Sequence, residues 1–188
     1  MKQIIAFKND SKLKDKYVKR VKAHYDADEI IQGIYWENGK GCAVGCTLEY
    51  NKSDDIHKKM ETRLGIPEEL ARLEDRIFEG LTNGDAKKFP LEFLEAINVG
   101  ADLSQVCIKM KIYILVDKHN GIIQYANTET KLIIKEIVRL QKKLLKGENV
   151  DDEMSAAESA VWSAAYKSYA KHLIKILKET KWNLNKNQ

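Results

Sequence analysis

Apolar residues recur every three or four positions along most of this chain, and this spacing is typical of amphipathic helices. The first such stripe predicts a helix over residues 11–32, with Ser11 as its N-terminal cap and Gly33 as the left-handed residue that ends it. The stripe, in which Asp28 is the polar exception, consists of Leu13, Tyr17, Val21, His24, Asp28 and Ile31. The pattern therefore predicts a long first helix.

Between residues 42 and 100, the same spacing predicts a series of shorter helices. A capping residue or a proline marks the start of the last three of them, and glycines mark their ends. The predicted helices begin at Cys42, Ser53, Pro67 and Pro90, and they end at Leu48, at Gly65, near Gly80 and before Gly100. The third of them carries the apolar stripe Leu70, Leu73, Ile77 and Leu81, and a turn at residues 83–85 follows it.

The segment of residues 103–117 is compatible with two structures. Asp102 is a suitable cap, and the segment is long enough for a helix. Residues 108–116, however, alternate in polarity at their start and are rich in strand-forming side chains. We favour a helix because of the length and the cap, and the strand alternative stays open.

Two further helices are predicted in the C-terminal part of the chain. One covers residues 127–146 and ends at Gly147, and the other covers residues 151–180. The buried stripe predicted for the last helix is Met154, Val161, Ala165, Tyr169, Leu173 and Ile176. The patterns together predict an all-α fold, namely a single compact multi-helix domain over residues 1–188 with long first and last helices. Residues 182–188 are expected to form a frayed tail.

The chain is mildly basic, with 32 Lys and Arg residues against 28 Asp and Glu residues and a net charge of +4. The excess is concentrated in the first and last predicted helices, where it is typical of solvated faces that can also attract an acidic partner. The dense basic patches with interleaved aromatics that nucleic-acid-binding proteins usually carry are not evident, so we do not expect nucleic-acid binding. No apolar run has the length of a membrane span or the form of a signal peptide, so we expect a cytoplasmic protein with reduced cysteines.

The most distinctive segment follows a predicted turn at residues 37–39. Residues 39–46, Gly-Lys-Gly-Cys-Ala-Val-Gly-Cys, combine three glycines, two thiols and a lysine. Glycines let successive backbone N–H groups point at an anion, and a helix start adds positive potential. We therefore predict a site for a small anionic ligand at Trp36, Lys40, Gly41, Cys42, Gly45 and Arg63. The alternative, which the sequence leaves open, is a tight helix–helix crossing that Gly41 and Gly45 permit.

The cysteines are also candidates for metal ligation or nucleophilic catalysis. Cys42 and Cys46 would share one helix face, and His57 and Cys107 would complete a zinc site, but a second closely spaced pair is lacking. A thiolate nucleophile with His24 or His57 as its base has no recognised spacing in this sequence. We therefore predict small buried cysteines, with no metal and no cofactor.

A cluster of carboxylates lies further along, at Glu74, Asp75 and Glu79. Asp75 and Glu79 share a helix face, whereas Glu74 and Asp75 diverge around the helix. Arg72 and Arg76 lie within one turn of these acids and can neutralise them. A salt-bridged helix surface is therefore the preferred interpretation over an acid–base pair.

Two blocks of this sequence resemble a family of uncharacterised bacterial and phage proteins. The first is GKGCAVGCTLE at residues 39–49, and the second is LGIP at residues 64–67 followed by LARLEDRIFEGL at residues 70–81. Members of that family also end in an alanine-rich helical segment, to which residues 155–170 are similar. The resemblance extends from about residue 7 to residue 178. It implies a bacterial or phage origin and supplies no catalytic residues.

These observations lead to one principal hypothesis and two alternatives. The principal hypothesis is a non-catalytic helical binding protein that captures a small anionic ligand at residues 39–46, by analogy a nucleotide signal of host defence. The first alternative is a protein–protein interaction module, such as a phage inhibitor of a host defence protein, that uses a basic helix face. Self-association is compatible with either hypothesis. The second alternative is an enzyme that uses a cysteine or the carboxylates of Glu74, Asp75 and Glu79.

Overall fold

The computed structural model describes residues 3–52, 54–157, 159, 170 and 172–176. The chain divides into two compact units, Met1–Lys109 and Met110–Gln188, which we call the N-terminal unit and the C-terminal unit. The expectation of a single domain therefore stays a prediction. The predicted cap Ser53 and the predicted tail at residues 182–188 lie outside the described residues.

The secondary structure confirms the predicted all-α class. Strands are limited, over the described residues, to one hairpin with two residues in each strand. Over the same residues, none of the helices is both long enough and apolar enough to span a membrane.

The N-terminal unit is built around a short helix. Its helices are α1 (Ser11–Asp26), α2 (Ala43–Leu48), α3 (Ile56–Leu64), α4 (Glu68–Gly80) and α5 (Asn83–Ala96), and the hairpin strands are β1 (Trp36–Glu37) and β2 (Lys40–Gly41). Helix α2 packs against α1, α3, α4 and α5, and all of its residues are buried. The short buried helix predicted over residues 42–48 is thus confirmed, and it forms the centre of the unit.

Helix α1 differs from the prediction at both ends. Asp10, rather than Ser11, caps it, because the Asp10 carboxylate accepts a backbone N–H of the first turn at 2.9 Å. The helix ends at Asp26 rather than near residue 32, since Asp28 adopts a positive φ of 56°. The next residues leave the helix and form two backbone hydrogen bonds of 2.9 and 3.1 Å with β2.

Helix α4 begins as predicted but buries a different face. Gly65, with a φ of 66°, closes α3, and Pro67 stands at the start of α4. The predicted stripe was Leu70, Leu73, Ile77 and Leu81, whereas the buried residues are Leu70, Ala71, Glu74 and Phe78. Helices α2, α3 and α5 all pack against α4. Its buried surface is therefore wider than a single apolar stripe, and it includes an acidic residue.

Helix α5 begins earlier than predicted. Residues 83–85 form its first turn instead of a separate turn, and Pro90 lies inside the helix rather than at its start. The first N–H groups of a helix need no partner within the helix, so an Asn-Gly-Asp sequence can occupy these positions. Asp85 lies in this first turn, where a carboxylate favours the helix dipole.

The ambiguous segment of residues 103–117 is helical. Helix α6 (Val106–Val116) covers most of it, so the strand alternative is wrong. Asp102 precedes this helix, and its carboxylate accepts the backbone N–H of Ser104 at 3.0 Å. Asp102 therefore holds the turn that leads into α6 rather than capping the helix, and the strand-forming character of the side chains did not decide the structure.

The C-terminal unit contains α7 (Thr128–Leu145), which matches the helix predicted over residues 127–146. Asn127 caps it, and Gly147 follows with a φ of 80°. The predicted last helix is helical at all of its described residues, which are 151–157, 159, 170 and 172–176. Of its predicted stripe, Val161, Ala165 and Tyr169 lie outside the described residues. Two other members are exposed rather than buried, Leu173 at 57% and Ile176 at 47%.

Candidate functional site

The glycine segment, residues 39–46, leaves a tight hairpin and enters α2. Asn38 and Gly39 adopt φ values of 50° and 82°. Two consecutive positive φ values are the conformation of a two-residue hairpin turn, which an Asn-Gly pair favours. The predicted turn is therefore confirmed. Residues 41–48 are all buried, so most of the glycine segment belongs to the core of the N-terminal unit.

Gly41 and Gly45 allow a close approach of the backbone at Tyr35. A Cβ atom on Gly45 would lie 2.6 Å from the Tyr35 carbonyl carbon, and one on Gly41 would lie 3.0 Å from the same atom. The N–H group of Cys42 donates to the carbonyls of Ile34 at 2.7 Å and Tyr35 at 3.2 Å, which holds the two segments together. The packing supports the alternative of a tight crossing, with a non-helical segment rather than a second helix as the partner of α2.

The other three predicted ligand-binding residues have separate neighbours. Lys40 is exposed on β2, and the Arg63 guanidinium lies 5.7 Å from the ring centre of Tyr50. Trp36 is half-buried and packs edge-to-face on His24, with 5.1 Å between ring centres. The N–H groups at the start of the buried segment already donate to protein carbonyls. This arrangement gives no support to anion capture by the glycine segment.

A cavity of about 190 Å³ lies beside Cys42. Of the six predicted site residues, Cys42 is the one that lines this cavity. The cavity, which we call the Cys42 pocket, is lined by Gly33, Ile34, Tyr35, Cys42, Asp75 and Glu79. The Cys42 Sγ atom and one carboxylate oxygen each of Asp75 and Glu79 all lie within 4.8 Å of one another. The residue before α2 and two residues one turn apart on α4 therefore bring a thiol and two carboxylates together.

His57, on α3, orients Asp75. Its Nε2 atom lies 3.1 Å from Asp75 Oδ2. The side chain of His57 is 5% exposed and that of Asp75 is 14% exposed. Among the described residues, His57 Nδ1 and Asp75 Oδ1 are buried without a hydrogen-bond partner. One oxygen of the Asp75 carboxylate is thus fixed, and the other remains able to contact a ligand.

Glu79 is positioned by the segment that follows α1. The N–H group of Gly33 lies 3.1 Å from both carboxylate oxygens of Glu79 and donates to them. The two N–H groups of the neighbouring Gln32 amide are shared among three carbonyls at the end of α4, which lie 2.8 to 3.2 Å from its nitrogen: those of Phe78, Glu79 and Leu81. The last carbonyls of a helix lack intrahelical partners, and of these three, the Phe78 carbonyl also accepts the backbone N–H of Leu81 at 3.3 Å. One short segment therefore caps α4 and holds the second carboxylate of the Cys42 pocket.

Glu74 contradicts the predicted salt-bridged surface. It is 1% exposed, and neither carboxyl oxygen has a hydrogen-bond partner among the described residues. Burial raises its pKa well above the ordinary value of 4.5, and the neighbouring Asp75 carboxylate adds to the rise. Arg72 pairs instead with Glu68, at 2.7 Å. The prediction was wrong because the charged side chains of α4 were expected to face solvent, whereas three helices cover this face.

The thiols of Cys42 and Cys46 are poorly suited to nucleophilic catalysis, which requires a thiolate. Burial raises the pKa of Cys42, and the neighbouring Asp75 carboxylate raises it further. Burial likewise raises the pKa of Cys46 to about 12. The zinc set considered from the sequence, with His57 and Cys107, is not assembled. Within the described residues, the metal-ligating side chains that come together are those of the Cys42 pocket.

The chemistry of the Cys42 pocket is that of a cation site. Its donors are a thiol and two carboxylates, and its lining residues include no basic side chain. In the sequence, the four-residue spacing of Asp75 and Glu79 was visible, but no pattern linked this pair to Cys42 or His57.

Comparisons of the chain with protein-family models, curated proteins and solved structures return no match.

Proposed function

We propose that this protein is a non-catalytic binding protein that captures a small cation in the Cys42 pocket. The observation that carries the proposal is the meeting of Cys42, Asp75 and Glu79 donor atoms within 4.8 Å, beside a cavity of about 190 Å³. A water molecule occupies about 30 Å³ in the liquid. The pocket therefore has room for a metal ion with a few waters or for a small protonated amine.

The electrostatics of the pocket support a positively charged ligand. Within the described residues, neither Asp75 nor Glu79 forms an ion pair with a lysine or an arginine. Their partners are the His57 imidazole and a backbone N–H group. A carboxylate that is withdrawn from water is costly unless a positive charge compensates it. This cost applies to Asp75, whose side chain is 14% exposed, whereas Glu79 is exposed at the rim of the pocket. A cation bound beside Asp75 would supply the compensating charge.

An anionic ligand is less favoured at this place. An anion in the pocket would face two carboxylates, and neither Lys40 nor Arg63 is among the lining residues. The glycine segment is closed by the Tyr35 backbone, so its amides do not form an open cradle. The phage origin, the role against host defence and the use of a basic helix face for a protein partner stay predictions.

A bound cation is expected to raise the melting temperature of the full chain. A ligand at 100 times its Kd adds about 2.7 kcal/mol to the stability of the folded state. That gain corresponds to roughly 5–10 °C for a chain of this size. Asp75→Asn combined with Glu79→Gln is expected to abolish the rise, because both carboxylates of the pocket lose their charge. Thermal unfolding in a reducing buffer, with Zn²⁺, Mg²⁺, Ca²⁺ and a protonated diamine, measures the effect.

The matched control is Glu92→Gln, since Glu92 is an exposed carboxylate on α5 and does not line the pocket. This variant should keep the full response to the cation. Thermal unfolding of wild type and of Lys40→Ala is also measured with phosphate and with adenine nucleotides, which test for an anionic ligand. The proposal is refuted if no cation stabilises the protein. A nucleotide response that Lys40→Ala removes would favour anion capture instead.

A further inference from the structure

We propose that the cation of the Cys42 pocket is a divalent transition metal, represented by Zn²⁺, bound by Cys42 Sγ and by carboxylate oxygens of Asp75 and Glu79. This inference rests on the proposed function and specifies its ligand. A sulfur donor disfavours Mg²⁺ and Ca²⁺, which take oxygen ligands, and favours metals such as Zn²⁺ and Co²⁺. The sequence led us to expect no metal because a second cysteine or histidine pair is lacking. In the proposed site, carboxylates take the place of that pair.

The distances are compatible with three ligands around one ion. Zn–S bonds are about 2.3 Å and Zn–O bonds about 2.0–2.2 Å, so donors in a tetrahedral site lie about 3.5 Å apart. The three donor atoms of the pocket lie within 4.8 Å of one another. Side-chain adjustments of about 1 Å would therefore bring them to one ion. Three protein ligands leave the fourth position to water, for which the cavity of about 190 Å³ has room.

A second observation at Asp75 points to the same ligand. Its Oδ1 atom is buried without a hydrogen-bond partner in the described part of the chain. Buried carboxylate oxygens normally have such a partner. Its Oδ2 atom lies 3.1 Å from Nε2 of His57, whose side chain is 5% exposed. Carboxylates that bind metals are commonly held in this way by a hydrogen bond to one oxygen, which leaves the other for the ion.

Metal binding at this site releases a proton. A cysteine thiol is ordinarily protonated at neutral pH, and metals bind the thiolate. The S–H bond of Cys42 therefore breaks, its electron pair forms the bond to the metal, and the proton passes to solvent. No atom is oxidised or reduced. The two carboxylates bind as anions, so the expected yield is one proton for each metal ion bound.

Titration of the full-length, reduced protein with Co²⁺ tests the inference. A near-ultraviolet thiolate-to-cobalt charge-transfer band is expected, together with the release of one proton per ion in a weakly buffered solution. Cys42→Ser should abolish the band, whereas Cys46→Ala should keep it, because Cys46 is buried outside the donor cluster. Zn²⁺ should displace the cobalt. Asp75→Asn, which leaves every thiol in place, should weaken Zn²⁺ binding by more than about 100-fold.

The outcomes separate this inference from the proposed function. In one outcome, a diamine stabilises the protein in a way that depends on Asp75 and Glu79, but no cobalt–thiolate band is seen. This result overturns the metal inference and supports the proposed capture of a cation. A band that survives Cys42→Ser also overturns the inference, since the metal would then be bound elsewhere. If Cys42→Ser does not fold, Asp75→Asn decides, and wild-type affinity for cobalt in that variant overturns the inference. The absence of any response to cations overturns both proposals.

Discussion

Gly45→Ala is expected to destabilise the protein by more than about 4 kcal/mol, which few single substitutions reach. The added methyl carbon would lie 2.6 Å from the Tyr35 carbonyl carbon and closer still to its oxygen. The Tyr35 group is backbone, so no side-chain rotation relieves the overlap. Helix α2 is in contact with four other helices and cannot shift without disturbing them. Thermal unfolding should show a melting temperature lower by roughly 10 °C or more, or no folded protein at all.

Gly84→Ala is the matched control for this substitution. A Cβ atom on Gly84, in the first turn of α5, meets no atom within 4 Å. Alanine is favoured over glycine in helices by up to about 1 kcal/mol, so this variant is expected to be neutral or slightly more stable. A folded Gly45→Ala protein with the melting temperature of wild type would show that the Tyr35 backbone does not lie against α2.

The glycine segment illustrates which features could be predicted from the sequence. The short helix over residues 42–48, the hairpin turn and the end of α3 at Gly65 depend on neighbouring residues, and all three predictions are confirmed. The role of Gly41 and Gly45 is not local, because it depends on how the backbone at Tyr35 packs against them. Glycines that could cradle an anion and glycines that admit a close contact look the same in a sequence.

The Cys42 pocket could be predicted only in part, for a related reason. The sequence assigned Cys42 to an anion site in the glycine segment, which stays a prediction, and the spacing of Asp75 and Glu79 placed them on one helix face. The contact between His57 and Asp75 joins residues 18 apart on two helices, and no periodicity encodes it. Charged residues are mostly exposed, so the acids of α4 were assigned to the surface. Burial of one face of α4 by three helices reversed that assignment for Glu74, whereas Glu79 is exposed as expected.

Glu74→Met is expected to stabilise the metal-free protein, by about 1–3 kcal/mol from the removal of an unpaired buried polar group, with a further gain that grows with pH. Glu74 is 1% exposed, and its carboxyl group has no hydrogen-bond partner among the described residues. Leaving a buried polar group unpaired costs about 1–3 kcal/mol. A methionine side chain has a similar length and returns apolar contacts at this position. The remainder of the gain comes from the ionisation of the carboxyl group, and it depends on pH.

The gain is expected to grow as the pH rises. Below the ordinary pKa of 4.5, the carboxyl group is protonated in both the folded and the unfolded chain. Above it, the unfolded chain loses the proton, while the folded protein, whose Glu74 pKa is raised by burial and by Asp75, keeps it. Wild type therefore loses about 1.4 kcal/mol of stability per pH unit until the pH reaches the folded-state pKa. Urea unfolding in EDTA between pH 4 and pH 8 measures the divergence of the two proteins.

Glu74→Gln separates the two contributions to this effect. The amide cannot ionise, so the variant should lose the pH-dependent part, but it leaves an unpaired polar group and should not gain the constant part. Glu92→Met, at an exposed position on α5, should change stability by no more than about 0.5 kcal/mol at any pH. A difference between wild type and Glu74→Met that stays constant across this range would mean that the Glu74 carboxyl ionises in the folded protein as it does in the unfolded chain. The conclusion that α2, α3 and α5 bury Glu74 would then be wrong. A carboxyl group cannot be withdrawn from water and keep its ordinary pKa without a compensating partner.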